Sequence, residues 1–240
     1  MKNNHLNSNY LKRFWLVLLI ILFSAVVIIL DLEKFYSFEV LKDNRELVLS
    51  WYDKHPSIVI SIFFVLYVLV VVLSLPGAVW LSIVAGFLMG TWVATSLVVF
   101  AATLGALGIF FIARYLLTDF FRKKTGSFIR KMEAGFQENE LSYILVLRLV
   151  PVFPFWLVNI VPALFGVSVR TFVVGTFIGI IPGTAVFCSI GNGLGALLDQ
   201  GRMPVLDIIF EPKIIGPLLA LAVLSLTPIV FKKLKKLKKR

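Results

Sequence analysis

The chain has 240 residues, of which 59% are hydrophobic and only 15% charged, and its formal net charge is +11. Because soluble domains usually contain about 25% charged residues, this composition excludes an ordinary soluble protein and predicts a membrane protein. One cysteine and two histidines exclude a disulfide framework and a cysteine–histidine metal site, so we expect no metal and no cofactor.

Long runs without charged residues alternate with charged segments along the chain. A helix needs about 20 apolar residues to cross the hydrocarbon core of a bilayer, and four runs are long enough for one crossing each. These runs are residues 14–30, 91–113, 171–198 and 214–231. The first resembles a signal peptide because basic residues precede it, but no small-residue cleavage site follows, so we expect an uncleaved anchor.

Basic residues predict the orientation, because Lys and Arg near a span favour its cytoplasmic side. In the favoured layout, four groups of basic residues lie on the cytoplasmic side: 1–13, 114–140, Arg170 and the tail 232–240. This layout puts 17 basic residues in the cytoplasm and 6 outside. Both termini are then cytoplasmic, and neither of the two remaining apolar runs, 57–90 and 141–166, can make one net crossing.

These two runs are interrupted by helix-breaking residues. Pro76 and Gly77 lie in the first run, and Pro151 and Pro154 lie in the second. Proline removes a backbone donor and clashes with the preceding turn, so each run is predicted to form a re-entrant hairpin of two short helices. Irregular backbone at this depth requires protein or a water-filled cavity around it. For the first run, two full spans, or one kinked span and a loop, remain alternatives.

An offset of 76 residues aligns the two interrupted runs. It pairs Leu73 with Leu149, Trp80 with Trp156 and Gly90 with Gly166. Each unit is then a hairpin followed by one crossing, and the orientation makes the second copy inverted relative to the first. Inverted repeats with broken helices near the midplane form the substrate sites of many transporters. A chance match between apolar runs is the alternative.

Arg148 places a permanent charge inside the second interrupted run. An arginine at this depth costs roughly 2.5–3.5 kcal/mol on insertion scales and normally faces a protein interior or an aqueous cavity. Its guanidinium matches a phosphate bidentately, and the helix after Pro154 directs free backbone N–H groups to the same break. We therefore predict an anion or lipid-headgroup site formed by Arg148, Pro151, Pro154 and Asn159. The alternative is that Arg148 extends to the cytoplasmic interface, since it lies eight residues beyond Glu140.

Other candidate residues carry weaker signals. Arg114 ends the second crossing and is a further substrate-binding candidate, although orientation alone explains a basic residue there. Pro182 and Gly183 are predicted to break the last core span. No His, Asp or Glu occurs within the apolar runs, so we predict no catalytic residue.

Residues 127–140 and the glycines suggest how helices meet their surroundings. Phe128, Met132 and Phe136 follow helical spacing, which predicts a helix on the inner membrane surface or, equally, one packed on protein. Spacings that permit close helix packing occur at Gly86, Gly90, Gly105, Gly108, Gly175, Gly179, Gly191 and Gly195.

A family resemblance follows from one motif. The run Arg-Leu-x-Pro-x-x-Pro and a following Asn, here Arg148, Leu149, Pro151, Pro154 and Asn159, resembles the signature of the DedA superfamily in its VTT-domain or SNARE-associated Golgi protein branch. Other positions that look like this branch are Pro76, Gly77, Gly86, Gly90, Phe111, Arg114, Gly166, Phe172, Gly179, Pro182, Gly183 and Thr184. The match covers about residues 55–200.

The resemblance implies two facing re-entrant hairpins with flanking spans. It also implies a role in moving or scrambling phospholipids, including carrier lipids in bacteria. The DedA proteins proper have acidic residues in the first hairpin, whereas residues 57–90 contain none. This departure argues against proton coupling through such a carboxylate.

The combined prediction is an all-α polytopic membrane protein with four transmembrane helices and two opposed re-entrant helical hairpins in an inverted repeat. Its expected parts are an anchor and external loop (1–56), a core (57–198) that includes a cytoplasmic amphipathic segment (114–140), and a last span with a basic tail (199–240). The expected function is a transporter or scramblase-like protein for an anionic small molecule or phospholipid headgroup. A non-catalytic membrane assembly factor and a lipid-processing enzyme are the alternatives.

Partners and location follow from the same charges. We expect membrane lipids with anionic headgroups as partners, because the basic tail is attracted to them, and we expect no nucleic acid. A homo-oligomer stays an open alternative. The predicted location is the cell inner (plasma) membrane, with a Golgi or organellar membrane as the alternative.

Overall fold

The computed structural model describes residues 43–75, 77–118, 133, 136–150, 153–199 and the single positions 219, 223 and 226. All regular secondary structure in this part of the chain is helical, as the sequence predicts. Its helices are α1 (Arg45–Lys54), α2 (Pro56–Val72), α3 (Ala78–Leu116), α4 (Glu140–Leu149), α5 (Phe155–Leu164) and α6 (Val169–Asp199). The predicted crossing at 14–30, nearly all of that at 214–231 and the basic tail lie outside the described residues.

Two of the described helices are long and apolar enough to cross a membrane. They are α3, with 39 residues, and the Val169–Gly193 part of α6, with 25 residues. A third candidate arises if the pair Glu46–Lys54 and Pro56–Val72 counts as one span, although the chain bends by 111° between them. These helices support an integral membrane protein.

Two of the interruptions between helices contain proline. Residues 73–77 separate α2 from α3, and Gly77 directly precedes α3 with a φ of 113°. Residues 150–154 separate α4 from α5, and Pro154 directly precedes α5. Two of the predicted break residues lie outside the described part of the chain, namely Pro76 and Pro151.

A glycine with positive φ follows the short helix after each break. Gly90 interrupts α3 with φ 72° and ψ 168°, a conformation that is essentially restricted to glycine. Gly166 has φ 73°, and the amides of Gly166 and Val167 close the end of α5 by donating to the carbonyls of Ala163 and Pro162. Both halves of the described core thus have the same order: helix, break, short helix, glycine turn and long helix.

The long helices α3 and α6 lie antiparallel against each other. Near one end, the ring centroids of Phe110 and Phe172 are 4.4 Å apart. Further along, the ring centroids of Phe100 and Phe177 are 5.0 Å apart. The short helix before Gly90 continues this contact, because Gly86 lies so close to the backbone of Cys188 that a Cβ atom on Gly86 would overlap it. Residue numbers therefore increase in opposite directions along this contact.

Glycines also bring each long helix onto the helix that precedes the break. Gly105 of α3 lies against Val71 of α2, and Gly179 of α6 lies against Arg148 of α4. A Cβ atom on Gly179 would stand 2.7 Å from the Cβ of Arg148, which is closer than van der Waals contact. Gly105 and Gly179, two of the predicted small-residue positions, thus lie at helix contacts.

The segment between α3 and α4 is described mainly at its end. Phe136 is buried, and its ring stacks on Tyr143 with centroids 4.6 Å apart. Phe128 and Met132 lie outside the described residues. At Phe136, therefore, the segment packs on protein, which was one of the two alternatives for its apolar stripe.

The predicted break at Pro182 and Gly183 is wrong. Both residues lie inside α6, which is helical from Val169 to Asp199. Proline lacks one N–H donor, but membrane helices tolerate it where neighbouring helices and small local adjustments satisfy the backbone. A Cβ atom on Gly183 would meet nothing within 4 Å, so no contact requires glycine there.

Ser74 is the one non-glycine residue with positive φ in the described chain, at 53°. It closes α2 as Gly166 closes α5, because the amides of Ser74 and Leu75 donate to the carbonyls of Val71 and Val70. Left-handed backbone favours glycine over residues with a Cβ atom. Ser74→Gly is therefore expected to raise the free energy of unfolding by up to ~1 kcal/mol, and Ser74→Val to lower it by ~1–2 kcal/mol.

Thermal unfolding of the purified protein in detergent measures both changes. Ser61→Gly is the matched control, because Ser61 lies within the regular part of α2, where glycine is less stable than serine by ~0.5 kcal/mol. The same substitution should thus have opposite signs at the two serines. Equal destabilisation by Ser74→Gly and Ser61→Gly contradicts the prediction.

Candidate functional site

The candidate site is built around the break between α4 and α5. Arg148 lies in the last turn of α4, and Asn159 lies in the second turn of α5. Pro154 can directly precede α5 because the backbone N–H groups at the start of a helix have no carbonyl partner within it. A residue without an N–H group therefore loses no helical hydrogen bond there. The break folds the chain back, so that two residues 11 positions apart come into contact.

The guanidinium of Arg148 forms three hydrogen bonds. Its Nη2 donates to Oδ1 of Asn159 at 2.6 Å and to Oγ1 of Thr176 at 3.0 Å, and its Nε donates to the same Thr176 oxygen at 3.2 Å. Its Cζ atom lies 5.5 Å from the ring centroid of Phe172. This one side chain therefore connects α4, α5 and α6.

Both hydrogen-bond acceptors are enclosed by protein. Asn159 is 0% exposed and Thr176 is 1% exposed. The Nδ2 of Asn159 donates to the carbonyl of Phe155 at 2.9 Å, which leaves Oδ1 directed toward Arg148. Asn159, a predicted substrate-binding residue, thus contacts Arg148 from inside the protein.

Thr176 is the site residue that sequence reasoning missed. It is uncharged and lies in an apolar run, so neither charge nor motif distinguishes it from other threonines. Its position on α6 is the signal that could have found it, because the neighbouring Gly175 and Gly179 are both predicted packing positions. Residues three positions apart share a face, and Gly179 lies against Arg148.

The Arg148 side chain could instead extend to the cytoplasmic interface of the membrane, and the direction in which it points tests this alternative. Arg148 lies about 12 Å along α4 from Glu140. Its side chain leans toward the start of α6, from Gly179 beside its Cβ to Phe172 near its Cζ, but Phe172 is fully buried. The guanidinium therefore ends among protein atoms inside the helix bundle.

The charge of Arg148 is balanced by no carboxylate among the described residues. Its hydrogen-bond partners are an amide and a hydroxyl, and the sequence has no Asp or Glu at 55–118 or 141–198. The three bonds leave the two N–H groups of Nη1 without a partner in the described part of the chain. A fixed cation with free planar donors can bind a phosphate or carboxylate oxygen.

Arg114 lies apart from this site. It is in the last turn of α3, its Nη1 donates to the carbonyl of Val167 at 3.0 Å, and its Cζ lies 5.4 Å from the ring centroid of Phe110. Val167 precedes α6, and Thr176 lies about 13 Å further along. The two candidate arginines are therefore at different levels of the bundle.

The polar contacts of the first break differ from those of the second. The hydroxyl groups of Tyr67 and Ser82 donate to the carbonyl of Ala78 at 3.2 and 2.8 Å, next to Gly77. These contacts are uncharged and lie within the protein. Within the described chain, no group of three or more His, Cys, Asp or Glu side chains could hold a metal ion.

Fold and site together define a class: a helical integral membrane protein that encloses an arginine beside a broken-helix hairpin. Comparison with known proteins gives the family, because residues 75–193 match the family model of the VTT domain. The chain belongs to the VTT-domain family, the DedA/SNARE-associated Golgi protein family that its motifs predicted.

Its relatives are also membrane proteins by name. The Transmembrane protein 41 homolog of Dictyostelium discoideum is 38% identical over 194 residues, which are 78% of this chain and 56% of that protein. Transmembrane protein 41B of Homo sapiens is 30% identical over 179 residues, 73% of this chain and 59% of that protein. The Xenopus tropicalis protein of the same name is 31% identical over 186 residues, which are 76% of this chain and 64% of that protein.

The chain thus spans from just over half to just under two thirds of the length of these relatives. No solved structure matches the chain.

Proposed function

We propose that the chain is a membrane transporter or lipid scramblase-like protein that handles an anionic small molecule or a phospholipid headgroup, with Arg148 as the anion-binding residue. The observation that carries this proposal is the guanidinium at the α4–α5 break, held by two neutral side chains and balanced by no described carboxylate. A bound oxyanion would supply the missing negative charge.

The break itself supports an anion at this place. The helix is interrupted between Leu149 and Phe155, and α5 begins directly after Pro154. The first amides of a helix have no carbonyl partner within it and carry a partial positive charge, so those of α5 add donors near Arg148. In this proposal Asn159 and Thr176 hold Arg148 in place, and Arg114 binds the same class of anion at another level.

We further propose the inverted-repeat architecture, with re-entrant hairpins at 57–90 and 141–166. Three structural facts support it. Both breaks are five residues long, a glycine with positive φ follows each short helix, and the long helices α3 and α6 are antiparallel. The 76-residue offset places one break within a residue of the other and superimposes Gly90 on Gly166.

The two halves of this repeat differ chemically. At the 76-residue offset, the positions equivalent to Arg148, Asn159 and Thr176 are occupied by Val72, Ile83 and Phe100. The first hairpin therefore has an apolar counterpart to the polar network of the second. On this proposal the anion site belongs to one hairpin, and the other hairpin completes the wall of the passage.

Orientation and location remain part of the proposal. The excess of basic residues in 1–13, 114–140 and 232–240 supports cytoplasmic termini in the cell inner (plasma) membrane. The same rule would place these segments in the cytosol if the membrane were that of the Golgi or another organelle. The division into an anchor (1–56), a core (57–198) and a last span with a tail (199–240) rests on the same charge pattern.

Leaflet exchange tests the proposed function. The purified full chain is reconstituted into liposomes that contain headgroup-labelled phosphatidylcholine or phosphatidylserine, and dithionite quenches the label in the outer leaflet. Without exchange about half of the label stays protected, and with a scramblase we expect nearly all of it to be quenched. Protection equal to that of protein-free liposomes, for both lipids, would rule out general scrambling and leave transport of a soluble anion to be assayed.

A second candidate is a non-catalytic membrane assembly or homeostasis factor. One observation favours it: the Arg148 side chain connects three helices, as a structural clamp would. An enzyme has less support, because the apolar runs contain no His, Asp or Glu to act as a base. Chromatography of the labelled lipid after the exchange assay distinguishes an enzyme, since only an enzyme would convert it.

A further inference from the structure

An open cavity of about 510 Å³ lies where the last turns of α3 meet the start of α6. Its lining residues are Phe111, Arg114, Tyr115, Ser168 and Val169. Ser168 lies about 12 Å along the chain direction of α6 from Thr176, so the cavity is separate from the Arg148 site. Its volume is in the range of pockets that bind small molecules.

Arg114 presents hydrogen-bond donors at this cavity in a fixed position. The bond from its Nη1 to the Val167 carbonyl and its place over the Phe110 ring hold the guanidinium. Its other N–H groups have no partner among the described residues. Tyr115 is 68% exposed, and its hydroxyl forms no hydrogen bond in the described part of the chain. Charged planar donors next to a phenolic hydroxyl suit the oxygens of a phosphate.

The rest of the wall is apolar and aromatic. Phe111 and Tyr115 are partly or largely exposed, with ring centroids 6.4 Å apart, and Val169 faces the same space. Aromatic residues at the end of a membrane helix typically lie at the level of the lipid headgroups. A cavity with a cation at one side and such rings at another fits a molecule with a phosphate and an apolar chain.

Two charged groups lie near this cavity without lining it. The carboxylate of Glu140 accepts hydrogen bonds from the backbone amide of Ser168 at 3.1 and 3.2 Å and from its hydroxyl at 2.9 Å. Glu140 is thus engaged with the start of α6, and its acceptors are not bonded to Arg114. Arg170 is exposed one residue beyond Val169. The lining itself therefore carries a positive charge and no negative one.

We propose that this cavity binds the phosphate of an anionic phospholipid, with Arg114 on the phosphate and Phe111 beside the start of an acyl chain. The inference rests on the proposed function and deepens it. In this inference, the lipid docks at the cytoplasmic end of the core. Its headgroup then lies about 12 Å along α6 from Thr176, the residue that contacts Arg148.

The test is site-specific photocrosslinking of the full chain in phosphatidylcholine nanodiscs. The probe is phosphatidic acid with a diazirine at the start of one acyl chain, and mass spectrometry quantifies adducts on the end of α3 and the start of α6. Arg114→Gln is expected to reduce these adducts about tenfold, and Arg114→Lys to keep most of them. Arg170→Gln, which removes the same charge outside the cavity, should change them less than twofold.

Competition identifies the source of the phosphate. Unlabelled phosphatidic acid should displace the probe, whereas inorganic phosphate at the same concentration should not. Displacement by inorganic phosphate would overturn the lipid assignment, and so would the absence of adducts on the native chain. The assignment also fails if Arg114→Gln and Arg170→Gln reduce the adducts equally, or if a folded Arg114→Lys variant forms as few adducts as Arg114→Gln. Adducts without leaflet exchange would leave this inference standing while the proposed function fails; exchange without adducts would remove this inference alone.

Discussion

Replacing Arg148 with methionine is expected to slow leaflet exchange by about 100-fold or more, toward the rate of protein-free liposomes. Methionine keeps much of the side-chain volume and removes the cation together with all its N–H donors. Hydrogen bonds that involve a charged group contribute about 1.5–3 kcal/mol each, so losing two to a bound anion supports an effect of this size. Arg148→Lys keeps the charge without the planar fork and should lose about tenfold.

The Arg148→Met variant should remain folded when exchange is lost. The substitution leaves the Asn159 and Thr176 oxygens without a donor, which costs ~1–3 kcal/mol per buried group, but it also removes a charge that no described carboxylate balances. Thr176→Val is the informative comparison. It keeps the cation and removes the acceptor of two of the three hydrogen bonds, so we expect a loss of ~1–3 kcal/mol in stability and a smaller loss of exchange.

Thermal unfolding and leaflet exchange, measured on the same preparations, separate the two functional candidates. Arg170→Met is the matched control, because Arg170 is exposed and lies outside the Arg148 network. It should change neither quantity. If exchange falls in proportion to stability in both Arg148→Met and Thr176→Val, Arg148 is a structural clamp and the non-catalytic candidate is favoured.

Adding a single methyl group at Gly86 or Gly191 is expected to prevent normal folding. A Cβ atom on Gly86 would overlap the backbone of Cys188, and one on Gly191 would overlap the backbone carbonyl of Ile83. Backbone atoms cannot move aside as a side chain can, so α3 and α6 would have to separate along their contact. We expect Gly86→Ala and Gly191→Ala each to lower the free energy of unfolding by about 3 kcal/mol or more.

Gly183→Ala and Gly193→Ala are matched controls for this prediction. A Cβ atom at either position meets nothing within 4 Å, and both glycines are helical. Alanine has the higher helix propensity, so these variants should be as stable as the native protein or up to ~1 kcal/mol more stable. Size-exclusion profiles after detergent extraction, followed by thermal unfolding, measure the difference. Comparable profiles for Gly86→Ala and Gly183→Ala would show that α3 and α6 do not approach this closely.

Much of the architecture was predictable because its causes act locally along the chain. Hydropathy indicates membrane helices wherever some 20 residues lack charge, and both α3 and α6 include such runs. Proline and glycine interrupt helices through their own backbone chemistry, which is why the breaks at 73–77 and 150–154 could be expected. The motif around Arg148 was sufficient to indicate the family that residues 75–193 then matched.

Pro182 shows the limit of local reasoning. The same residue type that accompanies the break before α5 lies within continuous helix in α6. Whether a proline ends a membrane helix depends on whether its surroundings satisfy the freed carbonyl, and those surroundings are supplied by other helices. A rule based on the proline alone could not distinguish the two cases.

Residue pattern alone indicates that this protein is helical and membrane-embedded, that its helices break at 73–77 and 150–154, and that a charged arginine lies beside the second break. What surrounds that arginine is set by how the helices pack together. Thr176 is 28 residues away in sequence, and its oxygen reaches Arg148 because Gly179 allows α6 to lie directly against α4. Such contacts depend on how whole helices are placed relative to one another. The pattern of residues along a single helix does not specify that placement.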